Sequence, residues 1–166
     1  MQDQVDIFTP PEARDSRLRR LHLYWQEKCG ARPFPDRIDL DPVDFKHILG
    51  YVTLVDVIAA EGDVPRRYYF RLDGSYLVAI SGIDYTHRYL DELPWPDYVA
   101  FVTWTYDQVM ETQLPFCYRR RGDFDQHTFD EETIILPLSA GHGRIEKLMV
   151  AVIPGDIDAG DQPVVV

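Results

Sequence analysis

No apolar run in this 166-residue chain approaches the roughly 18–20 residues that a membrane-spanning helix needs. The opening Met1-Gln2-Asp3-Gln4-Val5-Asp6 is acidic and has no apolar h-region, which argues against a secretory signal. Cysteine is scarce. Cys29 and Cys117 lie far apart, outside any CxxC or Cys/His ligand spacing, so two reduced, buried thiols in a cytoplasmic protein are expected rather than a disulfide. Basic residues are few: 17 Lys+Arg stand against 28 Asp+Glu, for a net charge of −11. Such a surface repels phosphate backbones and disfavours nucleic acid as a partner. The chain has no GxSxG elbow, GxGxxG or phosphate loop, HExxH pair or EF-hand loop. No common catalytic motif therefore points to an enzyme.

What remains has the composition of one folded domain. A chain of this size buries about 70% of its unfolded surface, enough for a single core. Residues 1–11 and 155–166 read as tails, the latter ending in Val164-Val165-Val166. From Glu12 to Cys29, Leu18, Leu21 and Trp25 recur at helical spacing and Gly30 follows as a stop, which predicts an amphipathic helix within residues 12–30. Asp41-Pro42 reads as the start of a short helix. Residues 51–60 and 67–72 read as a hairpin, and 75–81 as a short helix closed by Gly82. Residues 95–112 form the longest helix, with the stripe Val99, Val102, Tyr106, Val109, Met110 and a second aromatic face of Tyr98, Phe101 and Trp104. Strands follow over 114–121, 128–138 and 145–153. Short turns between consecutive strands imply antiparallel pairing, and the expected class is α+β with residues 31–154 as the domain proper.

Asp56 is the odd residue in an apolar strand. A hairpin register that sets it opposite Arg71, and Ile58 opposite Tyr69, would explain it as an ion pair or as the anchor behind a ligand-binding arginine. The run Arg119-Arg120-Arg121 reads as a solvated strand end or an anion contact. On a strand His127 and Glu131 share a face, an incomplete metal set, so no metal site is expected. A haem sensor would need a proximal histidine, for which His87 is the least poor choice. Ten tyrosines suit a pocket wall or an interface as well as a core.

Several segments occur in a telling order. They are Leu23-Tyr24-Trp25; Pro35-Asp36-Arg37 through Asp39, Asp41-Pro42 and Ile48-Leu49 to Tyr51-Val52; Leu54-Val55-Asp56-Val57; Arg67-Tyr68-Tyr69-Phe70-Arg71-Leu72 and Gly74; Gly82-Ile83-Asp84-Tyr85-Thr86 with Arg88-Tyr89-Leu90; and Ile135-Leu136-Pro137-Leu138-Ser139. Over about residues 18–154 the chain resembles the small stand-alone bacterial, mainly alphaproteobacterial, PAS-domain proteins. The resemblance implies a five-stranded antiparallel sheet with helices on one face, beside the N-terminal amphipathic helix. It also implies a sensory role through small-ligand or protein binding, without naming a cofactor. Two turns depart from the pattern: Thr86-His87 stands where a Thr-Gly pair is usual, and Ala140-Gly141-His142-Gly143 replaces an Asp-Gly turn.

The expectation is a non-enzymatic cytoplasmic signal-transduction module lacking its own output domain, with a signalling protein as partner and no membrane or nucleic acid. Its N-terminal helix packs on the domain or pairs in a homodimer. Asp56, Tyr69, Arg71 and Trp104 are the candidate ligand-binding residues. Two other classes stay open: a small enzyme on a ketosteroid-isomerase-like cone, with Asp56 as its acid or base, and a ligand-free dimerisation scaffold.

Overall fold

Asp15 starts the first helix. Its carboxylate accepts the Arg17 backbone N–H at 2.8 Å, and Gly30 ends the helix at φ 58°, so α1 runs Ser16–Cys29. It begins four residues later than the apolar stripe suggested. The reason lies on a distant strand, where the Glu132 carboxylate takes the backbone N–H groups of Arg14 and Asp15 at 2.9 and 2.8 Å. Those donors are satisfied outside a helix.

The computed structural model describes residues 4–124 and 127–155. Its strands are β1 Gln4–Phe8, β2 Val52–Ile58, β3 Arg67–Leu72, β4 Phe116–Phe124, β5 His127–Leu138 and β6 Lys147–Pro154. They form one antiparallel sheet in the order β1-β4-β5-β6-β2-β3. Two further helices, α2 Ser75–Ser81 and α3 Pro96–Thr112, lie between β3 and β4. The α+β architecture is as expected, with six strands instead of five. The extra strand is β1, formed by residues that read as a tail because two prolines and no helical period mark that segment. It pairs along β4, where Asp6 sits opposite Arg119 and the two side chains meet at 3.1 Å. The other end, beyond Gly155 and including Val164-Val165-Val166, lies outside the described residues.

The sheet separates α1 from α3. Side chains of a strand alternate between faces, and Glu132, which holds the start of α1, shares its face with Ile134, Leu136, Cys117 and Arg119. Trp25 of α1 donates its indole N–H to the Pro137 carbonyl at 3.0 Å. The opposite face carries Phe116 and Tyr118, against which Trp104 and Phe101 of α3 pack edge-on at 5.6 and 5.2 Å between ring centres. Leu18, Leu21 and Trp25 are all buried within this single chain. That stripe belongs to the domain's own core. Cys29 and Cys117 are buried free thiols, and burial pushes the Cys117 thiol up to about 12.

Two expectations are corrected by registers. A tight turn closes Glu61 onto Val64, with Gly62 at φ 58°, and this sets Asp56 opposite Tyr69 and Ile58 opposite Arg67. The pairing is shifted by two residues, and a bulge follows between Leu54 and Val55. Arg71 still reaches Asp56, because diagonal neighbours on one face lie within reach of a long side chain. The arginine run is no solvated strand end. Arg119 is held by Glu132 at 2.8 Å and by Asp6, and Arg120 is buried with its guanidinium 4.2 Å from the centre of the Phe101 ring. Only Arg121 of the three is exposed.

Among the described residues no helix is long and apolar enough to cross a membrane, and no group of three His, Cys, Asp or Glu side chains is placed to hold a metal ion. The His127 side chain, half of the incomplete metal set, lies outside the described residues.

Candidate functional site

Three of the four residues singled out from the sequence meet on the α1 side of the sheet. Arg71 donates from Nε and Nη2 to Asp56 Oδ2 at 2.8 and 2.5 Å, and Lys147, opposite Asp56 on β6, donates to Oδ1 at 2.6 Å. Burial alone would raise the Asp56 carboxyl, but the hydrogen bonds from Lys147 and Arg71 outweigh it and hold the group below its ordinary value. Both oxygens are engaged by cations, which leaves Asp56 poorly equipped as a general base. Arg71 lies 5.2 Å from the centre of the Tyr69 ring, and the Tyr69 hydroxyl meets His87 Nδ1 at 3.1 Å. His87 adopts φ 66°, a left-handed backbone that favours glycine. The glycine of the resembled pattern falls at this position. Trp104 lies elsewhere. It is on the α3 side, 41% exposed, wedged between Phe101 and Phe116.

The polar chemistry of greater interest lies between α3 and the sheet. Tyr68 and Phe70 of β3, Thr53 of β2 and Tyr118 and Thr133 of β4 and β5 face this interior. From α3, Tyr106 packs edge-on against Tyr68 at 5.1 Å, and Asp107 accepts the Tyr68 hydroxyl. The segment after α2 adds Tyr85, in a run of neighbouring rings from Phe70 through Tyr85 and Trp95 to Tyr98 at 5.7, 6.2 and 6.5 Å. Asp73, just past β3, turns its half-buried carboxylate into the same space. It accepts the Thr53 hydroxyl at 2.9 Å and the Tyr85 backbone N–H at 3.3 Å, and its own N–H donates to the Thr86 hydroxyl. Gly74 beside it packs so closely on Gly50 and Val52 that no side chain fits.

Electrostatics tie these groups together. Burial raises the Asp73 carboxyl above its ordinary value, and its hydrogen bonds only partly offset this. Burial likewise raises the phenols of Tyr85, Tyr98 and Tyr106, and the Asp73 charge adds to the rise at all three. One hydroxyl in this interior is orphaned: that of the fully buried Thr133 has no hydrogen-bond partner among the described residues. An unpaired buried hydroxyl costs about 1–3 kcal/mol. A hydroxyl without a protein partner, a carboxyl of raised proton affinity and aromatic rings give this interior groups that can hydrogen-bond and stack on a small molecule.

Sequence patterning concealed this set. Tyr106 falls in the apolar stripe of α3, where its ring explains its position and its hydroxyl goes unnoticed. Thr133 looks like an ordinary strand residue, and Asp73 like turn punctuation before Gly74. The signal that was available is the excess of tyrosine at positions patterned as core. On the other side of the sheet, an open cleft of about 590 Å³ lined by Pro10, Pro11, His22, Trp25, Cys29 and Pro115 among others offers few polar groups.

A family model described as PAS domain matches residues 13–152. No curated protein and no solved structure matches the chain.

Proposed function

Because this chain belongs to the PAS domain family, we propose that it is a sensory or regulatory module whose sensing site is the interior between α3 and the sheet. One observation carries the reading: the Thr133 hydroxyl is buried on that face with no hydrogen-bond partner among the described residues. A fold keeps such groups at a cost unless something hydrogen-bonds to them. A bound small molecule supplies that partner. α3 carries Tyr106 inward and Trp104 outward, which gives occupancy of the interior a mechanical route to the surface and so to a protein partner. A homodimer, where it forms, uses faces other than the buried Leu18/Leu21/Trp25 stripe. The outer cluster of Asp56, Tyr69 and Arg71 acts in this reading as a rigid edge of the sheet rather than as the ligand seat.

Native mass spectrometry of freshly purified protein, with an absorption spectrum, tests the proposal. The expected result is a non-covalent adduct released on denaturation and depleted in Thr133→Val. An adduct-free protein whose melting temperature no small molecule shifts would refute it. The small-enzyme alternative now rests on Asp73, the interior carboxyl with raised proton affinity, and it predicts that the released molecule is chemically altered on incubation with fresh protein.

A further inference from the structure

We propose that the open cleft on the α1 side of the sheet is a second binding site, for a small uncharged aromatic molecule carrying one hydrogen-bonding group of the phenol or indole type. The cleft lies across the sheet from the interior sensing site and shares no lining residue with it. Its volume, about 590 Å³, falls in the range of small-molecule sites.

One lining side chain lacks a partner. His22 is 7% exposed, hence more than nine-tenths buried, and it hydrogen-bonds to no described residue. Its nitrogens are not among the sealed, unpartnered polar atoms of the described chain, so they open on the cleft that the ring lines. Burial holds the ring below the ordinary histidine value and keeps it neutral, with one nitrogen donating and the other accepting. The remaining polar side chains of the lining are occupied or peripheral. The Thr9 hydroxyl donates to Glu12, the Trp25 N–H donates to the Pro137 carbonyl, burial keeps the Cys29 thiol protonated, and Gln26 is exposed at the rim. His22 is therefore the group that orients a guest.

The walls set the class of guest. In a chain with 27% charged residues, no Asp, Glu, Lys or Arg is among the described residues that line the cleft. A charged molecule would lose hydration there and gain no counter-charge. His22 and Trp25 stack at 5.9 Å between ring centres and 21° between planes, flanked by the rigid rings of Pro10, Pro11, Pro33 and Pro115. Such a surface favours a flat ring over a flexible chain.

The test titrates the full chain with phenol and indole and follows the histidine-ring and tryptophan-indole signals by two-dimensional NMR. The signals are assigned by their loss in His22→Phe and Trp25→Phe. Benzoate and benzylamine are the charged controls and toluene the apolar one. Phenol or indole is expected to shift the His22 and Trp25 signals saturably, with the charged controls inert and toluene about 10-fold weaker, the value of one hydrogen bond. His22→Phe keeps an aromatic ring and removes both nitrogens; read at Trp25, it should weaken the probe by the same factor of about 10. Leu114 lines the cleft and is 62% exposed, so Leu114→Ser should keep the fold while weakening the probe about 3-fold. It serves as the second variant should His22→Phe fail to fold. Thr133→Val, in the interior, should leave this binding unchanged. Benzoate or benzylamine binding as well as phenol, binding indifferent to both His22→Phe and Leu114→Ser, binding lost in Thr133→Val, or no saturable shift with either probe overturns the assignment. A native mass spectrometry adduct that survives any of these outcomes leaves the interior sensing site standing.

Discussion

Replacing Leu21 by alanine tests whether α1 is part of the domain core or an arm held out for a second copy. Leu21 is fully buried within one chain, as is Leu18 one turn before it. Removing its three outer carbons loses about 2.4 kcal/mol of transfer energy at ~0.8 kcal/mol per methylene. Incomplete collapse of the void adds to this, and measured large-to-small core changes reach about 2–5 kcal/mol. A loss of about 3–4 kcal/mol is therefore expected, which for a domain of this size lowers the melting temperature by roughly 10 °C. Circular dichroism melts at several protein concentrations provide the assay, with Leu23→Ala as control. Leu23 is 64% exposed on the same helix and should change stability by no more than about 0.5 kcal/mol. The melt of Leu21→Ala should remain one transition, because α1 and β5 share a core. A loss below about 1 kcal/mol, or a wild-type melt that shifts with concentration in a way Leu21→Ala abolishes, would show that the stripe faces another molecule and refute the packing argument.

Other perturbations probe the remaining contacts. Glu132→Gln removes the charge that holds Arg119 and weakens acceptance from the Arg14 and Asp15 N–H groups. Breaking a buried pair from one side costs about 3–5 kcal/mol, and limited proteolysis should then cut within the first fifteen residues before the domain unfolds. Gly74→Ala drives a methyl group into the Gly50 carbonyl and to 3.0 Å from the Val52 N; a loss of about 3 kcal/mol or more is expected in a denaturant titration, at the upper end of overpacking costs. Asp56 has its carboxyl held below the ordinary value, so its stabilising contribution is complete above about pH 4 and is lost as pH falls through the depressed folded value. The acid limb of the stability profile should accordingly flatten in Asp56→Asn, and an unchanged limb would contradict the ion-pair geometry. Asp73 carries the opposite sign: raised in the fold, its protonation favours the folded state as pH falls toward about 4, and Asp73→Asn removes that rise.

Periodicity made the helices and five of the six strands readable, because burial on one side writes itself into every third or second residue. The stripe Leu18/Leu21/Trp25 and the strand 52–58 needed nothing more. β1 escaped because its reason for being a strand lies in β4: five residues gain a partner only when Asp6 and Arg119 face each other. The hairpin register escaped for a geometric reason. Closing Glu61 on Val64 moves the whole ladder by two residues, a shift that preserves which side chains share a face and so leaves no mark on the pattern. That is also why the Asp56–Arg71 pair was foreseen correctly from a register that was wrong.

The site was the less legible part, and the cause is compensation. Sequence shows charges but not which of them are answered. Arg119-Arg120-Arg121 drew the eye as an excess of one sign, and in the fold Arg119 and Arg120 are among the most thoroughly enclosed cations, with Glu132 and Asp6 on the first and Phe101 beneath the second. Asp73 drew no notice among 28 acidic residues, yet it reaches an interior of tyrosines with neutral donors alone. A charge that the protein itself neutralises contributes to fold and register. One that is half-buried and answered by neutral donors alone makes its ionised form costly, and protonation relieves that cost. Folding and the proton affinity of Asp73 therefore change together.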